Sequence, residues 1–564
     1  MNLPLLPLAQ RLRVRENQIF LALTIVIAVI AGLAAVLFTL AIEATQDGLF
    51  GFSPSWLRLL AVPTLVSLGT GFLLAKFFPE ARGSGVPQTS VAFRLEQGRI
   101  PARVPIGKFI TGVLCVGSGH SMGREGPSVQ IGAGIASVMG RWLRLSPARA
   151  QGLIPVAAAA ALSAAFNTPV AAVLFALEEI IGDMNAALIG STVVASVTAV
   201  VVERSILGSA PIFRVPAYHL VHPIELGAYA VLGIAGGMIS LLFCKGLLRV
   251  RAFFLRMPAR TTIFQPAIGG MIIGGILIFF PQVMGVGYEY VDQALNGGLV
   301  LNTMLLLCVA KLLATIISYA SGNAGGIFAP SLYLGAMAGG VVGVLVNRFA
   351  PFPTGDPGAY ALVGMGTLFA GIIRAPMTSV FMVFELTQDH QILVPLMLAN
   401  MLSFLISRRY QPTPIYHALL EQDHVHLPGP GSRLAHGNWR VQDIMSPEMT
   451  FIPEQASVAS VWELAAVDKS PCWLVGGPDH LVGLLPLQAL QDAVESGRET
   501  EPVTHLLTDS WVHVHPDHPL ELGVERFRQS PGLLPVLSRR ETSRVLGVVT
   551  LETITNFLAS KPEE

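Results

Sequence analysis

Glu125 stands in the stretch Gly123-Arg124-Glu125-Gly126-Pro127, inside sequence that is otherwise apolar. An acid in such surroundings is costly to bury and is a functional candidate on that ground alone. Two similar stretches flank it: Gly83-Ser84-Gly85-Val86-Pro87 before, and Gly325-Gly326-Ile327-Phe328-Ala329-Pro330 after. Each interrupts hydrophobic sequence and offers Pro where a helix can begin. A helix start carries free N–H groups and a partial positive charge, so it attracts anions. Three such starts at membrane depth can together hold an anion in a place that normally repels one. A carboxylate beside such a start is drawn to the same spot. Ionised, Glu125 competes with the anion; protonated, it can leave, so one side chain can exchange a proton for an anion. An ion pair with Arg124 is the competing explanation, and it is weak because adjacent side chains usually point apart.

Other candidates carry a plainer alternative. Ser84 on its own reads as an N-cap or a small packing residue. Tyr416, close to the end of the apolar part, reads on its own as an interfacial belt tyrosine. The pair Glu178-Glu179 closes an apolar run and by itself suggests a solvated helix end. Gly119-His120-Ser121-Met122-Gly123 fits the hydrolase pattern G-x-S-x-G, but a nucleophile elbow needs a preceding strand in a soluble sheet. Here the pattern lies in an apolar segment joined to the Glu125 motif, so His120 is expected to be a buried, hydrogen-bonded residue. The four cysteines, Cys115, Cys244, Cys308 and Cys472, form no close pair, so neither a metal site nor a disulfide framework is suggested.

The elements that position these residues belong to a membrane protein. The chain has 564 residues, of which 52% are hydrophobic and 13% charged, against about 25% charged in soluble domains. Basic and acidic residues balance at 36 each, so no overall field points to nucleic acid. Apolar runs recur at about 19–42, 57–78, 153–177, 188–202, 226–243, 263–280, 300–320, 331–346, 360–373 and 392–406. Several are shorter than the ~20 residues of a full span, or are broken by Gly and Pro. Such segments suit half-helices lining a polar path. Arg11, Arg13 and Arg15 precede the first run, and Arg408 and Arg409 follow the last, which predicts that both ends are cytoplasmic.

The membrane part repeats itself. Gly83-Ser84-Gly85 is echoed by Gly285-Val286-Gly287 at an offset of 202, and Pro127 by Pro330 at 203. Thr168-Pro169 through Glu178 is echoed by Ala375-Pro376 through Glu385 at 207, with Glu nine residues after Pro in both copies. Two halves follow, about 19–205 and 220–410. After Arg409 the composition turns to Pro, Gly and His and reads as a linker. From Val441 two units of alternating strands and helices follow, opened by Val441–Met445 and by Pro502–Leu507.

Together the ordered motifs resemble the CLC family of chloride channels and proton-coupled chloride antiporters. Phe166-Asn167-Thr168-Pro169, Glu178-Glu179 and Pro414-Ile415-Tyr416 add to the likeness, which covers about 19–420. The tail resembles a tandem pair of cystathionine-β-synthase-type (CBS) modules. The resemblance implies an all-α polytopic membrane protein of two repeated, inverted halves with a cytoplasmic α/β tail. Its parts would be an N-terminal segment 1–18, a membrane domain 19–420, a linker 421–440, and CBS modules at 441–498 and 502–560.

The resemblance also implies site roles. Ser84 and Tyr416 would give hydroxyls, and Ile327 and Phe328 backbone N–H groups, to a central chloride. Glu125 would be the gating glutamate and Glu179 the internal proton-transfer glutamate, with Gly83, Gly85, Gly123, Gly126 and Gly326 as motif glycines. Glu178 and its repeat partner Glu385 would be structural. Chloride and protons would be the substrates, with no enzyme activity, metal or cofactor, in a homodimer embedded in a bacterial inner (plasma) membrane. A passive chloride channel is the alternative, which Glu179 disfavours. A fluoride-selecting variant is disfavoured by Ser84 and Tyr416. A nucleotide-sensing membrane protein is a remoter alternative, because Ala489 and Thr553 stand where nucleotide-binding CBS modules often carry an acid.

Overall fold

The computed structural model describes residues 5–51, 54–182, 186–213, 215–216, 218, 220–387, 391–425, 427, 439–468, 470–507, 511–527, 529–539, 541 and 543–559. The expected N-terminal segment 1–18, with Arg11, Arg13 and Arg15, falls outside its described side chains. Most of the expected linker, residues 426 and 428–438, lies outside the described residues. The chain divides into two compact units, Met1–Val425 and His426–Glu564.

The first unit is helical and runs through one order of elements twice. The first half has α1 (Leu5–Phe50), α2 (Trp56–Lys76), α3 (Val86–Arg94), α4 (Arg103–Gly117), α5 (Glu125–Trp142), α6 (Pro147–Phe166), α7 (Pro169–Phe175) and α8 (Ala186–Leu207). The second has α9 (Glu225–Leu255), α10 (Gln265–Phe279), α11 (Tyr288–Leu295), α12 (Leu301–Ala320), α13 (Phe328–Phe349), α14 (Pro357–Ile372), α15 (Pro376–Thr387) and α16 (Leu393–Tyr410). Seven helices among the described residues are long and apolar enough to cross a membrane. Equivalent helices pack antiparallel. Gly71 of α2 meets Ile263 just ahead of α10, while Gly270 and Gly274 of α10 meet Pro63 and Leu60. Numbers rise on one helix as they fall on the other, so the halves are inverted. Absent side chains let these backbones touch, as is usual between membrane helices.

Three local expectations change. The run 153–177 is not one span: Asn167 turns left-handed (φ 57°), ends α6, and hands over to Pro169 at the start of α7. Asn tolerates this conformation, and the residue before Pro avoids the helical one. Helices α4 and α5 have no counterpart among the apolar runs, because Lys108 interrupts one and polar residues and glycines dilute the other. Finally, the linker-like composition after Arg409 contains a further helix, α17 (Ile415–Gln422), with Ile415, Tyr416, Leu419 and Leu420 buried. Arg251 of α9 fastens it, donating to the Leu419 carbonyl at 3.2 Å and pairing with Asp423 at 2.6 Å.

The second unit has a β-α-β-β-α order: β1 (Phe451–Ile452), α18 (Val458–Val467), β2 (Cys472–Gly477), β3 (His480–Pro486) and α19 (Leu487–Glu495). β1 pairs parallel with β2, which pairs antiparallel with β3. The order returns with α20 (Leu520–Phe527), β4 (Leu533–Leu537), β5 (Val545–Thr550) and α21 (Leu551–Ala559), and a single parallel bridge from Val514 to Val536 stands in the place of the first strand. The two opening segments are exchanged. Val441 and Ile444 pack with Val514, Leu534 and Val549, whereas Val503 and Leu506 pack with Ile452, Trp473 and Leu485. Each expected module is therefore completed by chain from before the other.

Candidate functional site

The three glycine stretches meet. Gly325 N donates to Gly83 O at 3.1 Å, and Gly123 and Gly326 exchange backbone hydrogen bonds at 2.8 Å each way. Gly85, at φ 106°, lies so close to Gly126 O that a Cβ there would come within 2.6 Å of it. The helices that follow begin at Val86, Glu125 and Phe328, so the starts of α3, α5 and α13 converge. Their first N–H groups, those of Ile327 and Phe328 among them, have no acceptor within the helix.

Two hydroxyls at this junction are buried and unsatisfied. Neither Ser84 Oγ nor Tyr416 Oη has a hydrogen-bond partner among the described residues. Buried polar groups are nearly always bonded, so two such donors call for an acceptor. The two hydroxyls face each other without forming a hydrogen bond of normal geometry. Phe328 is packed on three sides by the rings of Phe166, Phe175 and Phe369, at 4.9, 5.5 and 4.4 Å. A small anion there would be met by hydroxyls, amides and ring edges, a neutral cage that holds without trapping.

Glu125 is fully buried at the first position of α5. Its Oε1 accepts from Tyr288 Oη at 2.9 Å. Its Oε2 and the Ala329 amide nitrogen both border the space where a Gly123 side chain would be, so the carboxylate lies at the start of α13. Arg124 does not pair with it. That guanidinium goes to Glu43 at 3.2 Å and over the Tyr288 ring at 5.7 Å.

Glu179 lies apart from Glu125, in a π-helical turn, Ala176–Ile181, that extends α7. Such turns are rare and recur at functional sites. The adjacent Glu178 reaches across the halves and accepts from the Met377 and Thr378 amides at 3.1 and 2.9 Å, capping α15. Glu385 returns the contact, accepting from the Val170 and Ala171 amides at 2.9 and 2.8 Å and capping α7. This reciprocal clasp fits the structural part expected of both residues.

Two buried lysines escaped the sequence reading. Lys108 Nζ donates to Ala81 O at 3.0 Å and Gly83 O at 2.5 Å. Lys311 Nζ donates to Val283, Gly285 and Val286 carbonyls at 3.1, 2.7 and 3.2 Å. The signal was present: one Lys in each of two apolar stretches, 203 residues apart, the same offset as the paired prolines. Tyr288 was also missed. The hydrolase pattern dissolves: His120 bonds Ser67 and Ser118, and Ser121 bonds Thr315, all buried. All four cysteines are buried and free. In the second unit Ala489 lies in the first turn of α19, and the Thr553 hydroxyl is engaged with the Thr550 backbone.

A sequence model described as voltage gated chloride channel matches residues 64–408. The H(+)/Cl(-) exchange transporter ClcA of Vibrio cholerae serotype O1 (strain M66-2) is 30% identical over 421 residues, 71% of this chain and 89% of that protein. A solved slow cyanobacterial Cl-/H+ antiporter superposes with a TM-score of 0.65 at 29% identity, over 72% of this chain and 97% of its own. A eukaryotic CLC transporter superposes over 94% of this chain and 97% of its own, with a TM-score of 0.61 at 20% identity, which is a likeness of fold.

Proposed function

The chain belongs to the voltage-gated chloride channel family, and from that premise we propose that it exchanges chloride for protons across a membrane. The observation that carries this reading is the Glu125 carboxylate lying where the starts of α5 and α13 meet. A helix start is where an anion is drawn. Ser84, Tyr416 and the Ile327 and Phe328 amides hold a central chloride in this reading. Glu125 ionised occupies the position next to it and shuts the path. Glu125 protonated turns out, a second chloride enters, and the proton is exchanged on return. Glu179 relays the proton on the other side of the central ion. A passive channel needs no second acid there, so Glu179 favours coupling.

Movement of ions, with no bond-breaking chemistry, is the activity proposed, as the names of the relatives are those of transporters. We also propose a homodimer in a bacterial plasma membrane with both termini cytoplasmic, supported by Arg408 and Arg409 in the last turn of α16. The twice-repeated β-α-β-β-α order supports a CBS pair in the tail that acts as a structural or dimerising module.

Glu179→Gln in proteoliposomes tests the coupling. The variant is expected to keep chloride flux and lose chloride-driven proton movement. Wild-type protein that moves chloride with no proton movement at all would replace the antiporter reading with the channel.

A further inference from the structure

The second-half glycine loop, Gly285-Val286-Gly287, has lost the hydroxyl that its counterpart carries at Ser84. It is nevertheless held as firmly. Lys311 binds two of its carbonyls and that of Val283 just before it, and Gly287 turns left-handed (φ 79°) to start α11 at Tyr288. That tyrosine puts its phenol on Glu125 Oε1 at 2.9 Å. We propose that Tyr288 is a positioning residue, a fixed latch that holds the ionised Glu125 carboxylate in the closed place and so sets how acid the solution must be before the path opens.

Fixed and movable partners can be told apart. The half-buried Tyr288 ring packs 5.3 Å from Phe213 and 6.4 Å from Phe166, with Arg124 over it. Its backbone begins a helix behind a loop anchored by Lys311. Glu125 begins a helix between Arg124 and Gly126, and its Oε2 makes no hydrogen bond of normal geometry, with the Ala329 amide as the donor beside it. Opening must therefore move the carboxylate. A cavity lined by Arg124, Gln282, Glu289 and the latch residue Tyr288 itself lies on the far side of the Tyr288–Glu125 hydrogen bond, and it is the space towards which the carboxylate would turn.

The choice of donor matters. Arg124 sits next to Glu125 yet is drawn off by Glu43. A guanidinium fork on a buried carboxylate is a strong two-bond clamp. A single phenol O–H is weaker and favours the ionised acid over the protonated one by the strength of one bond. The other charged or titratable groups facing this place are Arg124 on the same helix, Glu43 and Asp47 from α1, Glu203 from α8, Lys311 from α12, Glu289 from α11 and Tyr416 from α17. None of them donates a hydrogen bond to Glu125 among the described residues, so the phenol is the contact to remove.

The latch rests on the gate assigned to Glu125, and the test separates the two. Tyr288→Phe keeps the ring and its stacking and removes only the hydroxyl. Exchange is measured as chloride-driven proton movement in proteoliposomes between about pH 4 and 8. Wild-type exchange is expected to rise as pH falls. In Tyr288→Phe the half-maximal pH is expected to move up by about one unit, the scale of one hydrogen bond to a charged group. Chloride flux in Glu125→Gln is expected to be pH-independent and unaltered by adding Tyr288→Phe. An unmoved or lowered midpoint, a uniform loss of rate at every pH, or an effect of Tyr288→Phe that persists in the Glu125→Gln background would each overturn the latch. Retained proton coupling in Glu125→Gln alone would overturn the gate instead.

Discussion

Lys108 in the first half and Lys311 in the second lie in equivalent helices, and each binds carbonyls of the loop that leads to a glycine turn. Gly83 and Gly285 both turn left-handed there, as do Gly85 and Gly287 or nearly so. Pro127 and Pro330 open equivalent helices, and Glu178 and Glu385 cap each other's half. At the same offsets, other pairs diverge. Ser84 faces Val286 in the alignment of the halves, Glu125 faces Phe328, and Glu179 faces Leu386. The shared residues satisfy backbone groups that would otherwise be stranded in an apolar interior. The divergent ones are those assigned to chloride and proton. An inverted pair of identical halves would place the same group on both sides of the ion. A path that treats its two ends differently needs the repeat to be broken at a few positions while its skeleton stays.

Removing the skeleton should do the most damage, and do it in both halves. Lys311→Met strands three carbonyls, whereas Lys108→Met strands that of Ala81 and leaves that of Gly83 with the Gly325 amide alone. Each unmet buried acceptor costs about 1–3 kcal/mol. Both variants are expected to unfold at lower temperature in detergent than the parent, Lys311→Met more so. A stable Lys311→Met protein would break the parallel between the two lysines.

Changes at the divergent pairs should act on one side only. Ser84→Ala with Tyr416→Phe removes two donors to the ion, each worth about 1.5–3 kcal/mol against a charged partner. Chloride affinity by calorimetry is expected to fall at least tenfold, without vanishing, since the amides at the start of α13 remain. Val286→Ala, the same cut in the other half, is expected to leave affinity unchanged. Equal losses from the two would mean that the ion is shared evenly by the halves.

Much of this was legible in the sequence, because glycine turns, prolines and a lone acid in apolar surroundings are local signals. The motif at Glu125, the repeat offsets and the break into a tail need only neighbours in the chain. Helix α17 did not read as a helix, since eight residues flanked by prolines look like linker until Arg251 and a buried Tyr416 are seen to hold them. Tyr288 lies 163 residues from Glu125, and only the inversion of the halves brings them together. The Glu178–Glu385 clasp was hinted at by spacing, but its reciprocity follows from antiparallel packing. The exchanged opening segments of the tail, at Val441 and Val503, are likewise invisible to a linear reading.

The smallest expected effect is in that tail. Ala489 and Thr553 offer no carboxylate to ribose hydroxyls, and Thr553 is already bonded to its own turn. Millimolar ATP is expected to leave chloride flux unchanged, and removal of the residues after about 435 should leave an exchanging membrane unit. ATP modulation that disappears on truncation would reveal a nucleotide site in the tail.

The reversal potential of the purified protein in a planar bilayer goes most directly to the exchange itself. With equal chloride on both sides and a pH gradient, coupled exchange gives a potential displaced from zero, and Glu125→Gln returns it to zero. A wild-type potential that stays at zero under the pH gradient, while still following a chloride gradient, would contradict exchange and leave a passive chloride path.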